Sequence, residues 1–290
     1  MAVIFLGGAL LAPWLYWLAQ FGAGHWAALK GLAAQPFHRY ADRSFLALAV
    51  LGLVPFLRSL GVRSWRDAGL GQPLVHRGRL VAGFGVGFVS LAVAATVTVL
   101  AGARQWDGSH SLGQLIGKVG QAGVTAIVVA VLEELIFRGG LFGALAKVYR
   151  WTFALFISSA VYAIVHFFER PPDPLVINWW SGLAILPEML RGFIDTVSLF
   201  PGFINLTIAG GLLAWAYYRS GTLYFSIGLH AGWIFWLKSY GYLTREAPGA
   251  AVWFWGSGKL IDGWLALGGL ALAALGVAKL TGRQGKARTE

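Results

Sequence analysis

The chain has 290 residues, 57% hydrophobic and only 12% charged, with a net charge of +11 and no cysteine. Soluble domains carry about 25% charged residues, so the charges here are too few to cover a water-facing surface and the apolar excess must face lipid. The lack of cysteine excludes disulfides, thiolate catalysis and cysteine-zinc sites. The basic residues are scattered over short loops, which points to anionic headgroups rather than nucleic acid as their partner.

Runs of mostly apolar residues long enough to cross a bilayer fall at 2–21, 44–61, 79–102, 120–147, 152–168, 203–218, 222–241 and 260–280. They predict an all-α, polytopic membrane helical bundle of about eight transmembrane helices, read as one domain over 1–290. The first run opens at Met1 without a basic leader and contains Pro13, Trp14 and Trp17, so it reads as a retained helix. Arg58, Arg63, Arg66, Arg77 and Arg79 in the second connection, with Lys279, Arg283, Lys286 and Arg288 in the tail, suggest that both termini face the cytoplasm. Glycines inside the runs, among them Gly83, Gly87, Gly139, Gly140 and Gly210, suit close helix packing in lipid. The connection 169–202 holds Pro171, Pro172, Pro174, Pro187 and Pro201 with Trp179 and Trp180. It reads either as a segment lying along the headgroup layer or as a plain surface loop.

The fourth run carries Glu133, Glu134 and Arg138. Each charge at the centre of a bilayer costs about 2.5–3.5 kcal/mol on insertion scales, so three together need partners, a cavity or a chemical role. Glu134 and Arg138 are four apart and share a helix face, whereas Glu133 points about 100° away and is left over. A carboxylate in such a place suits proton transfer.

His166 and Glu134 stand at equal offsets from the turn near Arg150, since 166 − 150 and 150 − 134 are both 16. Equal offsets in an antiparallel pair give equal depth, so the two can meet. His230 lies on a third segment, roughly 9 Å shallower by helical rise. The bland alternatives are a structural Glu134/Arg138 ion pair and histidines that only pack or anchor.

Two histidines and two glutamates include zinc-ligand types, but no His-Glu-x-x-His spacing is present. Ser158 and Ser159 lie in no Gly-x-Ser-x-Gly turn. Hydrolysis without a metal or other cofactor fits better: Glu133 activates a water held also by His166, and His230 donates to the oxyanion.

The ordered set Glu133-Glu134-x-x-x-Arg138-Gly139, Tyr162-x-x-x-His166 and Tyr217-Tyr218-Arg219-Ser220-Gly221 leading to His230 resembles the CAAX prenyl endopeptidase and bacteriocin-processing (CPBP, or ABI) family of intramembrane proteases, over roughly 115–240. The resemblance implies an eight-helix fold and glutamate-dependent cleavage of a membrane-associated peptide or protein. It also implies Glu133 as water activator with His166, an essential Glu134, and His230 in the oxyanion hole. The setting it suggests is a prokaryotic plasma membrane; oligomeric state is not legible.

Two positions depart from the family pattern, Tyr162 for a phenylalanine and Ile234 for an asparagine or aspartate. Isoleucine has no side-chain donor, and loss of one oxyanion donor costs about 10²–10³ in rate. The indole N–H of Trp233 is a candidate replacement. A non-catalytic scaffold or immunity-type protein of the same fold is the alternative reading, and a transporter, though without repeat symmetry, is a third.

Overall fold

The computed structural model describes residues 2–168, 173–193 and 196–282, and among these it is helical almost throughout. In chain order the helices are α1 (Ala2–His25), α2 (Lys30–Ala33), α3 (Phe37–Ser59), α4 (Pro73–Leu100), α5 (Leu112–Glu134), α6 (Gly143–Val148), α7 (Trp151–Val165), α8 (Ser181–Glu188), α9 (Thr196–Ser220), α10 (Leu223–Leu243), α11 (Val252–Trp255) and α12 (Ala266–Leu280). A π-helical stretch, Leu135–Phe142, joins α5 to α6. The strands β1 (Arg104–Trp106) and β2 (Thr244–Glu246) pair antiparallel.

Among the described residues, five segments are long and apolar enough to cross a membrane: Ile4–His25, Phe37–Ser59, Pro73–Leu100, Leu112–Val148 and Leu199–Ser220. Trp151–Val165 and Ala266–Leu280 are shorter apolar helices. The protein is thus an integral membrane protein of the all-α polytopic class. The seventh expected span, 222–241, is a helix of another character. From Leu223 to Ile234 every residue of α10 is buried, and it carries Ser226, His230, Lys238 and Ser239. Protein rather than lipid covers that half, so it tolerates polar residues that a lipid-facing helix would not.

The contacts gather into two compact units, Met1–Phe56 with His166–Asp195, and Leu57–Val165 with Thr196–Glu290. In the first, α1 lies against α8 so closely that a Cβ on Gly182 would overlap the backbone of Ala9. Ala12, Phe37, Ala41 and Ile185 form its core, and Asp173 accepts the backbone N–H of His38 at 2.7 Å. Part of the expected loop 169–202 is therefore helical: α8 and a 3₁₀ turn occupy Ser181–Phe193, and α9 starts at Thr196 with Pro201 inside it. Pro171 and Pro172, like Arg283, Lys286 and Arg288, lie outside the described residues.

In the second unit α10 is the axis. Gly83 and Gly87 on α4 face Gly228 and Gly232 on α10, and a Cβ at any of the four would overlap backbone atoms of the facing helix. This reciprocal Gly-x-x-x-Gly contact lets the two backbones touch, the geometry small residues provide where lipid supplies no hydrophobic drive for helix pairing. Leu91, Leu213, Phe225, Leu229, Leu270 and Val277 close the core between α4, α9, α10 and α12. Both ends of α10 are pinned. Leu223 N–H donates to the Gly69 carbonyl at 2.9 Å, and at the far end β2 pairs with β1 in the register Arg104↔Glu246. The start of α5 is fixed by a capping box, in which the Gln114 N–H donates to Ser111 Oγ and the Ser111 N–H donates to Gln114 Oε1.

Candidate active site

Glu133 and Glu134 are the last two residues of α5, and Arg138 lies in the π stretch that follows. The wider π turn recurs at functional sites because it re-aims side chains without ending the helix. Here it buries Arg138 and Glu134 together, at 2% and 0% exposure. Arg138 Nη1 donates to Glu134 Oε1 at 2.9 Å, and Nη2 donates to the Gly210 carbonyl on α9 at 3.1 Å. The expected i,i+4 ion pair is present. The guanidinium also lies over the Tyr162 ring, 4.5 Å from its centroid. Gly139 sits against Ala68, whose carbonyl a Cβ at 139 would meet at 3.0 Å, so the loop before α4 packs directly under the motif.

His230, 3% exposed, joins this pair from α10. Its Nδ1 is 3.0 Å from Glu134 Oε1 and donates to it. Glu134 Oε1 therefore accepts from a guanidinium and an imidazole at once, while its Oε2 has no hydrogen-bond partner among the described residues. The depth offset expected for His230 is absorbed: counting residues from a helix end fixes depth only if the turns lie level and the helices are parallel.

Glu133 is not left over. Its Oε2 lies 3.7 Å from His230 Nε2, so the two adjacent carboxylates address opposite nitrogens of one imidazole. They differ in access. The Glu133 side chain is 24% exposed and Glu134 0%, so of the two only Glu133 reaches the surface, and it does so away from Oε2, which is buried beside His230.

Tyr162, on α7, is the residue that sequence reasoning undervalued. Its hydroxyl is 3.2 Å from His230 Nε2, and its ring stands edge-on to Phe137 at 5.2 Å. A phenylalanine at this position would have no such bond. The signal was the hydroxyl itself, at a position the motif aligns with His166.

The suggested replacement donor is engaged elsewhere. Trp233 Nε1–H donates to Ser90 Oγ on α4 at 3.0 Å, within the glycine-packed interface. Ile234 is buried at 4%. His166 lies in the other compact unit, at an exposed turn directly after Val165, the last residue of α7. Glu133, Glu134, Arg138, Tyr162 and His230 form the cluster within the second unit. Among the described residues no group of three or more His, Asp or Glu side chains has metal-holding geometry.

Residues 116–236 match a family model described as type II CAAX prenyl endopeptidase Rce1-like. This segment is similar to the Rce1-like family. It runs from α5 through Trp236 of α10 and contains all five clustered residues. The match supports the resemblance of the motif-bearing core to the CPBP membrane proteases. No curated protein and no solved structure matches the chain.

Proposed function

We propose that this protein is an intramembrane endopeptidase of the Rce1-like type that uses Glu133 to activate water against a peptide bond of a membrane-associated substrate. The observation that carries the reading is the division of labour around His230, with fully buried Glu134 on Nδ1 and the partly exposed side chain of Glu133 beside Nε2.

Glu133 takes a proton from water as the water oxygen bonds to the scissile carbonyl carbon, and the carbonyl π pair moves onto oxygen. His230, oriented through Nδ1 by Glu134, presents Nε2–H to that oxyanion. When the pair on oxygen returns, the C–N bond breaks and the Glu133 proton passes to the departing amine. Arg138 touches no reacting atom; it holds Glu134 in place and offsets its charge in a low-dielectric site. A part for His166 beside Glu133 rests on motif order alone, and the prokaryotic plasma membrane as the setting rests on the same resemblance.

One observation favours the non-catalytic alternative: α10 offers no donor at Ile234, and Trp233 is bonded to Ser90. Comparison of membrane peptides from cells carrying the wild-type chain or Glu133→Gln separates the readings. Substrate peptides that accumulate uncut only in the variant support the protease. Identical peptide profiles, with a phenotype seen only when Glu134→Gln disrupts folding, support the scaffold.

A further inference from the structure

We infer that the Tyr162 hydroxyl is a catalytic donor of this site, the second hydrogen bond to the oxyanion beside His230 Nε2–H; the inference rests on the proteolytic reading above. Tyr162 Oη and Glu133 Oε2 converge on the same ring nitrogen, at 3.2 and 3.7 Å, while Glu134 occupies the other. The base and the hydroxyl therefore border one small volume at Nε2, where a carbonyl under attack must sit. In the resting site Nε2–H and the hydroxyl bond to each other. During attack both turn to the oxygen that gains the carbonyl π pair, and the tyrosine keeps its proton throughout.

The neighbouring groups leave this task to Tyr162. Ile234, one turn beyond His230 on the same face of α10, has no donor, and the Trp233 N–H is spent on Ser90. The phenol is also held rigidly, edge-on to Phe137 and face-on to the Arg138 guanidinium. A cation over the ring face draws electron density from it and strengthens the O–H as a donor. A preorganised donor of this kind costs no reorganisation when charge develops.

The test uses full-length protein in proteoliposomes with two fluorogenic probes, a farnesylated CAAX peptide and an unprenylated transmembrane peptide. Wild type, Tyr162→Phe and Glu133→Gln are compared for kcat, KM and melting temperature. Tyr162→Phe is expected to lower kcat about 10²–10³-fold with KM and melting temperature nearly unchanged. Tyr162→Phe within twofold of wild-type kcat, with Glu133→Gln inactive, overturns the inference and leaves the protease reading standing. A wild type that cuts neither probe, or a Glu133→Gln variant as active as wild type, overturns the protease reading and this inference with it. Should Tyr162→Phe fail to fold, 3-fluorotyrosine at 162 preserves the ring packing and changes donor strength. A shifted kcat at constant KM then supports the role, and an unchanged kcat refutes it.

Discussion

Glu134 on α5 and His230 on α10 meet at 3.0 Å with both side chains buried, so one carboxylate oxygen ties the motif helix to the central helix of its unit. The same oxygen accepts from Arg138 at 2.9 Å. This contact joins packing to chemistry: whatever moves α10 moves the imidazole, and whatever removes Glu134 leaves a buried guanidinium with only the Gly210 carbonyl and the Tyr162 ring beside it.

Glu134→Ala is expected to destabilise the protein by about 3–5 kcal/mol, the cost of stripping one partner from a buried ion pair. Thermal unfolding in detergent measures it. A loss under about 1 kcal/mol would mean that Arg138 finds another partner and that the pair is not structural.

Gly228→Ala or Gly87→Ala places a methyl against the backbone of the facing helix. Overpacking of this kind costs about 1–3 kcal/mol, and here it also displaces His230, two residues beyond Gly228. A paired fall in melting temperature and kcat is expected. Stability lost without any change in kcat would contradict the link between the glycine contact and the site.

Trp233→Phe removes the bond to Ser90 Oγ and nothing at the imidazole. The expected result is a loss of about 1 kcal/mol in stability with kcat held within a few-fold. A kcat lower by about 10²-fold would restore the indole as an oxyanion donor.

The strand pair β1–β2 that pins the far end of α10 is flanked by Asp107, a strongly shifted acid outside the spans. The Arg245 side chain, bonded to Asp107 Oδ2 at 2.6 Å, holds the Asp107 carboxyl well below the usual carboxylate range, with Ser109 adding to it. A depressed folded pKa stabilises above the unfolded value, and that contribution disappears as pH falls through the folded one. The melting-temperature difference between wild type and Asp107→Asn should stay constant from about pH 8 to 5 and close in strong acid, below about pH 4. A difference that changes between pH 8 and 6 would point to another group.

Much of this was legible in the chain because local spacing decides it. Four-residue separation fixed the Glu134/Arg138 pair, and apolar runs located the long helices. What the sequence hid depends on neighbours in space. The π turn after Glu134 reflects what packs around Gly139 and Gly140, which no periodicity in the fourth run reveals. Glu133 looked solitary because the His230 imidazole beside it comes from a helix about a hundred residues on. Span 222–241 resembled a lipid-facing helix because hydropathy does not say whether apolar surroundings are lipid or protein. Tyr162 passed as a mild exchange because a hydroxyl's meaning depends on what stands opposite.

The central claim is that Glu133 is the base that activates water at His230. Turnover of the fluorogenic probes by reconstituted wild type and Glu133→Gln, with melting temperatures measured in parallel, tests it most directly. The prediction is a rate lower by at least about 10²-fold in a variant that melts as wild type does; equal turnover by the two proteins would contradict it.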